Sequence, residues 1–79
     1  MKGVKTAPKI ENISPDTIFG VNAGKVWEAI HDKNELTTRE IANRTDLTES
    51  EVYGALGWLG KEGKVTIIFD GKNYKYKVY

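Results

Sequence analysis

The sequence predicts an α+β domain of three helices and a C-terminal hairpin, and three observations predict it. Thr37 with Glu40, and Thr48 with Glu51, each have the spacing of a capping box ahead of apolar residues at helical intervals. A helical apolar period also runs over residues 15–33. After Gly63 the period changes to two, on either side of the turn-forming Asp70-Gly71-Lys72-Asn73.

The first ten or so residues, with Pro8 and small side chains, show no periodicity and read as a flexible basic tail over 1–13. The folded domain is expected over 14–79. Ser14-Pro15-Asp16 has the chemistry of a helix start: a serine cap, a proline at the first helical position and an acid near the positive end of the dipole. The first helix is expected over 15–33, with Phe19, Ala23, Val26 and Ile30 on one stripe and Trp27 at its margin. Gly20, Gly24, Glu28 and His31 fall opposite. Glu35-Leu36-Thr37 reads as a short strand.

The second helix is expected over about 38–45, burying Ile41 and Ala42, and Thr45-Asp46-Leu47 breaks it. A third runs from Thr48 to about Glu62 with Val52, Ala55, Leu56 and Leu59 inward. Gly63 ends it, because glycine enters the left-handed region without steric cost. In the hairpin, Val65, Ile67 and Phe69 share a face with Tyr74, Tyr76 and Val78. That face is expected to pack on the helices, with Lys75 and Lys77 on the other.

Two capped helices joined by a short turn, with a helix before and a hairpin after, match a helix-turn-helix with a wing. The stretch LTTREIANRTDLTESEVYGALGWLGKEGKV resembles winged helix-turn-helix domains, with Ile41, Ala42, Leu47, Val52 and Leu56 at the positions such motifs keep apolar. NAGKVWEAI together with VYGALGWLGKEGKV is similar, more narrowly, to a family of small stand-alone prokaryotic winged-helix proteins of unknown function. Asp46 departs from the glycine usual in the turn, but aspartate tolerates the left-handed conformation better than most residues.

Composition bounds the function. At 79 residues, 39% apolar and 29% charged, the chain is a single ordinary domain with no room for a substrate cleft beside its own core. It has no cysteine, hence neither disulfides nor a thiolate metal site. No apolar run reaches signal-peptide or membrane-span length, so the expected location is the cytoplasm, with no membrane partner.

No catalytic set is evident. His31 is the sole histidine, and its neighbours Glu28, Asp32 and Glu35 read as a solvated helix face, not as metal ligands. Ser14 and Ser50 read as a cap and an early-helix residue, and the glycines of the third helix lack the strand and loop of a phosphate cradle. Neither an enzyme nor a cofactor or metal is expected.

The net charge of +1 hides an uneven distribution: residues 1–10 carry +3, residues 11–60 carry −5 and residues 61–79 carry +3. The resemblance implies binding of double-stranded DNA in transcriptional regulation. Arg39, Arg44, Lys61, Lys64, Lys72, Lys75 and Lys77 would be the phosphate contacts, and Tyr74 or Tyr79 a stacking surface. The same lysines also suit a hairpin edge kept soluble by charge.

The third helix fits DNA reading poorly. Its outward ridge carries Ser50, Gly54, Gly57 and Lys61 where readers carry Arg, Asn or Gln, and Glu49 and Glu51 stand at its start. Gly54, Gly57 and Gly60 each cost about 1 kcal/mol relative to alanine. They suit either a protein interface or homodimer built on Tyr53, Gly54, Gly57 and Trp58, or the accommodation of large side chains inside one chain. Both alternatives stand at this level.

Overall fold

The computed structural model describes residues 11–32 and 35–79. A π-helical segment, Asp16–Gly20, leads into α1 (Val21–Ile30); α2 (Thr38–Thr45) and α3 (Glu49–Lys61) come next, then β1 (Val65–Phe69) and β2 (Tyr74–Val78). Of the basic tail expected over 1–13, residues 1–10 lie outside the described residues; Glu11, Asn12 and Ile13 are exposed and carry no helix or strand.

The first helix departs from expectation at both ends. The Asp16 N–H donates to Ser14 Oγ at 3.3 Å, as a serine cap should. The next turn, however, is wide: the Val21 N–H reaches back five residues to the Asp16 carbonyl. That extra residue rotates the segment before Val21 relative to the body of α1. Ala23, Val26 and Ile30 are buried as the stripe requires, whereas Phe19 is 41% exposed and Gly20, expected on the solvent side, is half-buried against Trp58. The α-helix ends at Ile30, short of the expected 33.

Both capping boxes form. The Glu40 N–H donates to Thr37 Oγ1 at 3.2 Å and the Thr37 N–H to Glu40 Oε1 at 2.8 Å. Thr48 and Glu51 repeat the exchange at 3.1 and 2.9 Å. Between the helices Asp46 adopts φ 64°, and the Thr45 hydroxyl donates to the Ile41 carbonyl at 2.8 Å while accepting from the Leu47 N–H at 3.2 Å. After α3, Gly63 takes φ 72°; the Lys64 N–H bonds the Leu59 carbonyl and the Gly63 N–H the Gly60 carbonyl, a Schellman end.

The hairpin pairs Val65 with Val78, Ile67 with Tyr76 and Phe69 with Tyr74. The expected third strand is a single bridge, Leu36 to Tyr76, through two backbone bonds of 3.1 and 2.8 Å. Tyr76 is thereby tied to β1 on one side and to the segment before α2 on the other.

The core is Ala23, Val26 and Ile30 from α1, Leu36, Ile41 from α2, Val52, Ala55, Leu56 and Leu59 from α3, and Val65 and Tyr76 from the hairpin. The hairpin's apolar face packs only at its base. Val65 and Tyr76 are buried, but Ile67, Phe69 and Tyr74 are 60%, 57% and 60% exposed. Ile67 and Tyr74 face α2 and α3 across open clefts, so the face expected to pack on the helices does so only in part. The architecture is an α+β winged helix-turn-helix, with the hairpin as its wing.

Candidate functional site

Two surfaces meet at the wing. Strand alternation puts Lys75 and Lys77 on the face away from the helices, and Lys72 is exposed in the turn at the tip. The same alternation puts Ile67, Phe69 and Tyr74 on the inner face, where the Phe69 and Tyr74 rings sit 4.9 Å apart.

Backbone bonds fix the tip. Asp70 Oδ1 accepts from the Asn73 N–H at 2.8 Å and the Lys72 N–H at 2.9 Å, and Gly71 supplies the positive φ of 95°. Those two bonds, and after them Lys75 at 3.5 Å, hold the Asp70 carboxyl below its ordinary pKa. The wing tip overlooks the starts of α2 and α3 across a cleft of about 480 Å³. This cleft is lined by Thr37, Thr38 and Arg39, by Glu49 and Tyr53, and by Lys72, Asn73 and Tyr74.

The cations expected at phosphates are only partly gathered. Arg39 joins Lys72 at this cleft, although its Nε also lies 3.9 Å from Glu49. Lys75 and Lys77 continue the charge along the outer face of the wing. Lys64 pairs with Glu62 at 3.6 Å. Arg44 lines a different cleft, beside Glu28 and Asp32 near α1, and Lys61 is exposed in the last turn of α3. No ion pair engages Arg44, Lys61, Lys72 or Lys77 among the described residues.

The four glycine and aromatic positions of α3 separate into two groups. A Cβ at Gly54 would lie 2.8 Å from the Phe19 ring, so that glycine is taken up by an in-chain contact. Trp58 is half-buried, packs on the core and covers Gly20. Tyr53 is 57% exposed, and a Cβ at Gly57 would meet nothing within 4 Å among the described residues. Tyr53 and Gly57 border an apolar groove of about 310 Å³ that also takes in Gly60, Val65 and Ile67.

Sequence reasoning missed Ile67, Phe69 and Asn73 as surface features. The alternation alone assigns Ile67 and Phe69 to the packed face, and no sequence signal marks them as exposed. His31, weighed as a ligand, stacks its ring on Trp27 at 4.6 Å and sits 3.0 Å from the Glu28 carbonyl through Nδ1. Among the described residues, no group of three His, Cys, Asp or Glu could hold a metal ion, and no helix is long and apolar enough to cross a membrane.

The model of the family described as Winged helix-turn-helix domain (DUF2582) matches residues 15–79. The solution NMR structure of protein BT2368 from Bacteroides thetaiotaomicron is similar at 31% identity and a TM-score of 0.77, over 82% of this chain and 79% of that one. No curated protein matches the chain.

Proposed function

This chain belongs to the winged helix-turn-helix domain family DUF2582, and from that membership we propose that it is a non-catalytic, cytoplasmic module binding double-stranded DNA in transcriptional regulation. One observation carries the reading: the wing puts Lys75 and Lys77 on its outer face and Lys72 at its tip, with Arg39 across the cleft from the tip. Arg39 and Lys72 at the cleft, with Lys75 and Lys77 along the outer face of the wing, suit phosphate contacts, which supply affinity and register without sequence information.

The exposed ridge of α3 supports a backbone-dominated mode. Glu49, Ser50, Tyr53 and Gly57 offer no bidentate partner for guanine or adenine, so binding would be tolerant of sequence. A second reading, a protein-interaction module without DNA binding, is favoured by the exposed Tyr53, Ile67, Phe69 and Tyr74.

Fluorescence anisotropy with mixed duplex DNA at low and moderate salt tests the first reading. The expected result is binding that weakens steeply with salt, each phosphate contact contributing about 0.9 to the log–log slope. Lys72→Glu with Lys77→Glu should weaken binding and flatten that slope. Absence of binding at low salt would overturn the DNA reading, and an unchanged slope in the variant would remove the wing from it.

A further inference from the structure

We propose that a second copy of this chain docks on the groove between α3 and the inner face of the wing, with the two α3 helices antiparallel about a two-fold axis. The groove is open and apolar, and none of the described residues covers it. Tyr53 and Ile67 on its walls are 57% and 60% exposed, and Phe69 and Tyr74 continue the same surface to the wing tip. Exposed apolar residues this close together mark an interaction surface.

The identity of the occupant is argued from one ridge of α3. Glu49, Tyr53, Gly57 and Lys61 recur at every fourth position and are all exposed. Such residues form a continuous ridge on a helix. In chain order the ridge presents an acid, a large aromatic, a vacant position and a base. Read in the opposite direction it presents a base, a vacancy, an aromatic and an acid, which is its own complement.

A single antiparallel register satisfies both pairings together. When Tyr53 of one copy stands opposite Gly57 of the other, Glu49 stands opposite Lys61. The Tyr53 ring then enters the groove bordered by Gly57, Gly60 and Ile67, where a Cβ at either glycine would meet nothing within 4 Å among the described residues. A parallel arrangement instead sets Glu49 against Glu49 and Lys61 against Lys61. The two-fold operation makes each copy both knob and socket, as isologous dimers require.

Gly57 and Gly60 also acquire a reason. Glycine inside a helix is destabilising, and Gly54 is explained by Phe19 whereas Gly57 and Gly60 meet no neighbour among the described residues. Close approach of a partner's helix accounts for them. This interface covers the α3 ridge and the inner face of the wing, including Glu49 and Tyr53 beside Arg39 and Lys72, and leaves Lys75 and Lys77 outward. DNA held against the α3 ridge would compete with it, so the dimer is tested without nucleic acid.

Sedimentation equilibrium of the full chain without nucleic acid tests the proposal. The wild type should approach twice the chain mass of 8.9 kDa as concentration rises. Gly57→Leu, whose Cβ meets nothing within 4 Å among the described residues, should remain folded by circular dichroism and sediment as a monomer. Glu49→Lys alone and Lys61→Glu alone should each lose the dimer, and their equimolar mixture should recover it, because every cross-pair then joins opposite charges. A wild type that stays monomeric throughout overturns the proposal and leaves the groove to a partner of different sequence. A dimer indifferent to Gly57→Leu and to both charge reversals overturns it as well. The charge variants keep the test independent of how Gly57→Leu folds.

Discussion

The Phe19 ring lies over Gly54, with two ring carbons 2.8 and 2.9 Å from where a Cβ would stand. The π-helical turn ahead of α1 and the absence of a side chain on α3 are therefore parts of one contact. It gives Gly54 and Gly57, three residues apart on the same helix, opposite responses to substitution.

Gly57→Ala should raise the stability of the single chain by about 1 kcal/mol, because the added methyl meets nothing and helix propensity improves. Gly54→Ala should yield none of that gain, since its methyl displaces Phe19. Combining Gly54→Ala with Phe19→Leu should recover part of it. Denaturant unfolding at a concentration where the chain is monomeric measures the three, and equal responses at the two glycines would refute the assignment.

At the turn between α2 and α3, Asp46 holds φ 64°. A left-handed conformation costs a residue with a Cβ about 1–2 kcal/mol, less for aspartate than for most. Asp46→Val should thus lower stability by about 1–2 kcal/mol in thermal or denaturant unfolding, whereas Asp46→Gly should be neutral or slightly stabilising. A valine variant as stable as the wild type would show that the turn relaxes to another conformation.

The wing tip should be acid-sensitive. The folded-state pKa of Asp70 is lowered by the Asn73 and Lys72 N–H groups, then by Lys75. A depressed carboxylate contributes stability that is present above its unfolded pKa and lost as pH falls through the folded one. The stability difference between wild type and Asp70→Ala should accordingly be largest near neutrality and shrink below the ordinary aspartate value of 3.8. Thermal unfolding across that range measures it, and a difference that widens on acidification would contradict the sign.

Much of the fold was legible because its signals are local. A threonine and a glutamate three residues apart cap a helix through their own backbone, which is why α2 and α3 begin where the sequence placed them. Gly63 and the Asp70–Asn73 turn are equally local, decided by φ and by side chains bonding nearby N–H groups. The start of the first helix was less legible. Its π turn shifts the phase by one residue, and nothing in the apolar spacing records that shift.

The candidate surfaces divide along the same line. Alternation alone put Lys75 and Lys77 opposite Tyr76, because successive strand residues face opposite sides. Alternation could not say that Tyr76 would be buried while Tyr74, two residues earlier, would be exposed. Likewise, helical spacing put Gly54 and Gly57 on one surface of α3 without showing that Phe19 would cover only the first.

The sequence by itself determined the order and polarity of the helices and strands and the ends of α2, α3 and the hairpin, since capping, turn chemistry and periodicity act over a few residues. The tertiary structure decided which apolar residues found a neighbour. Burial depends on how closely the elements approach one another, a property of the packed whole, and the gap between the wing and α3 left Tyr53, Gly57 and Ile67 open.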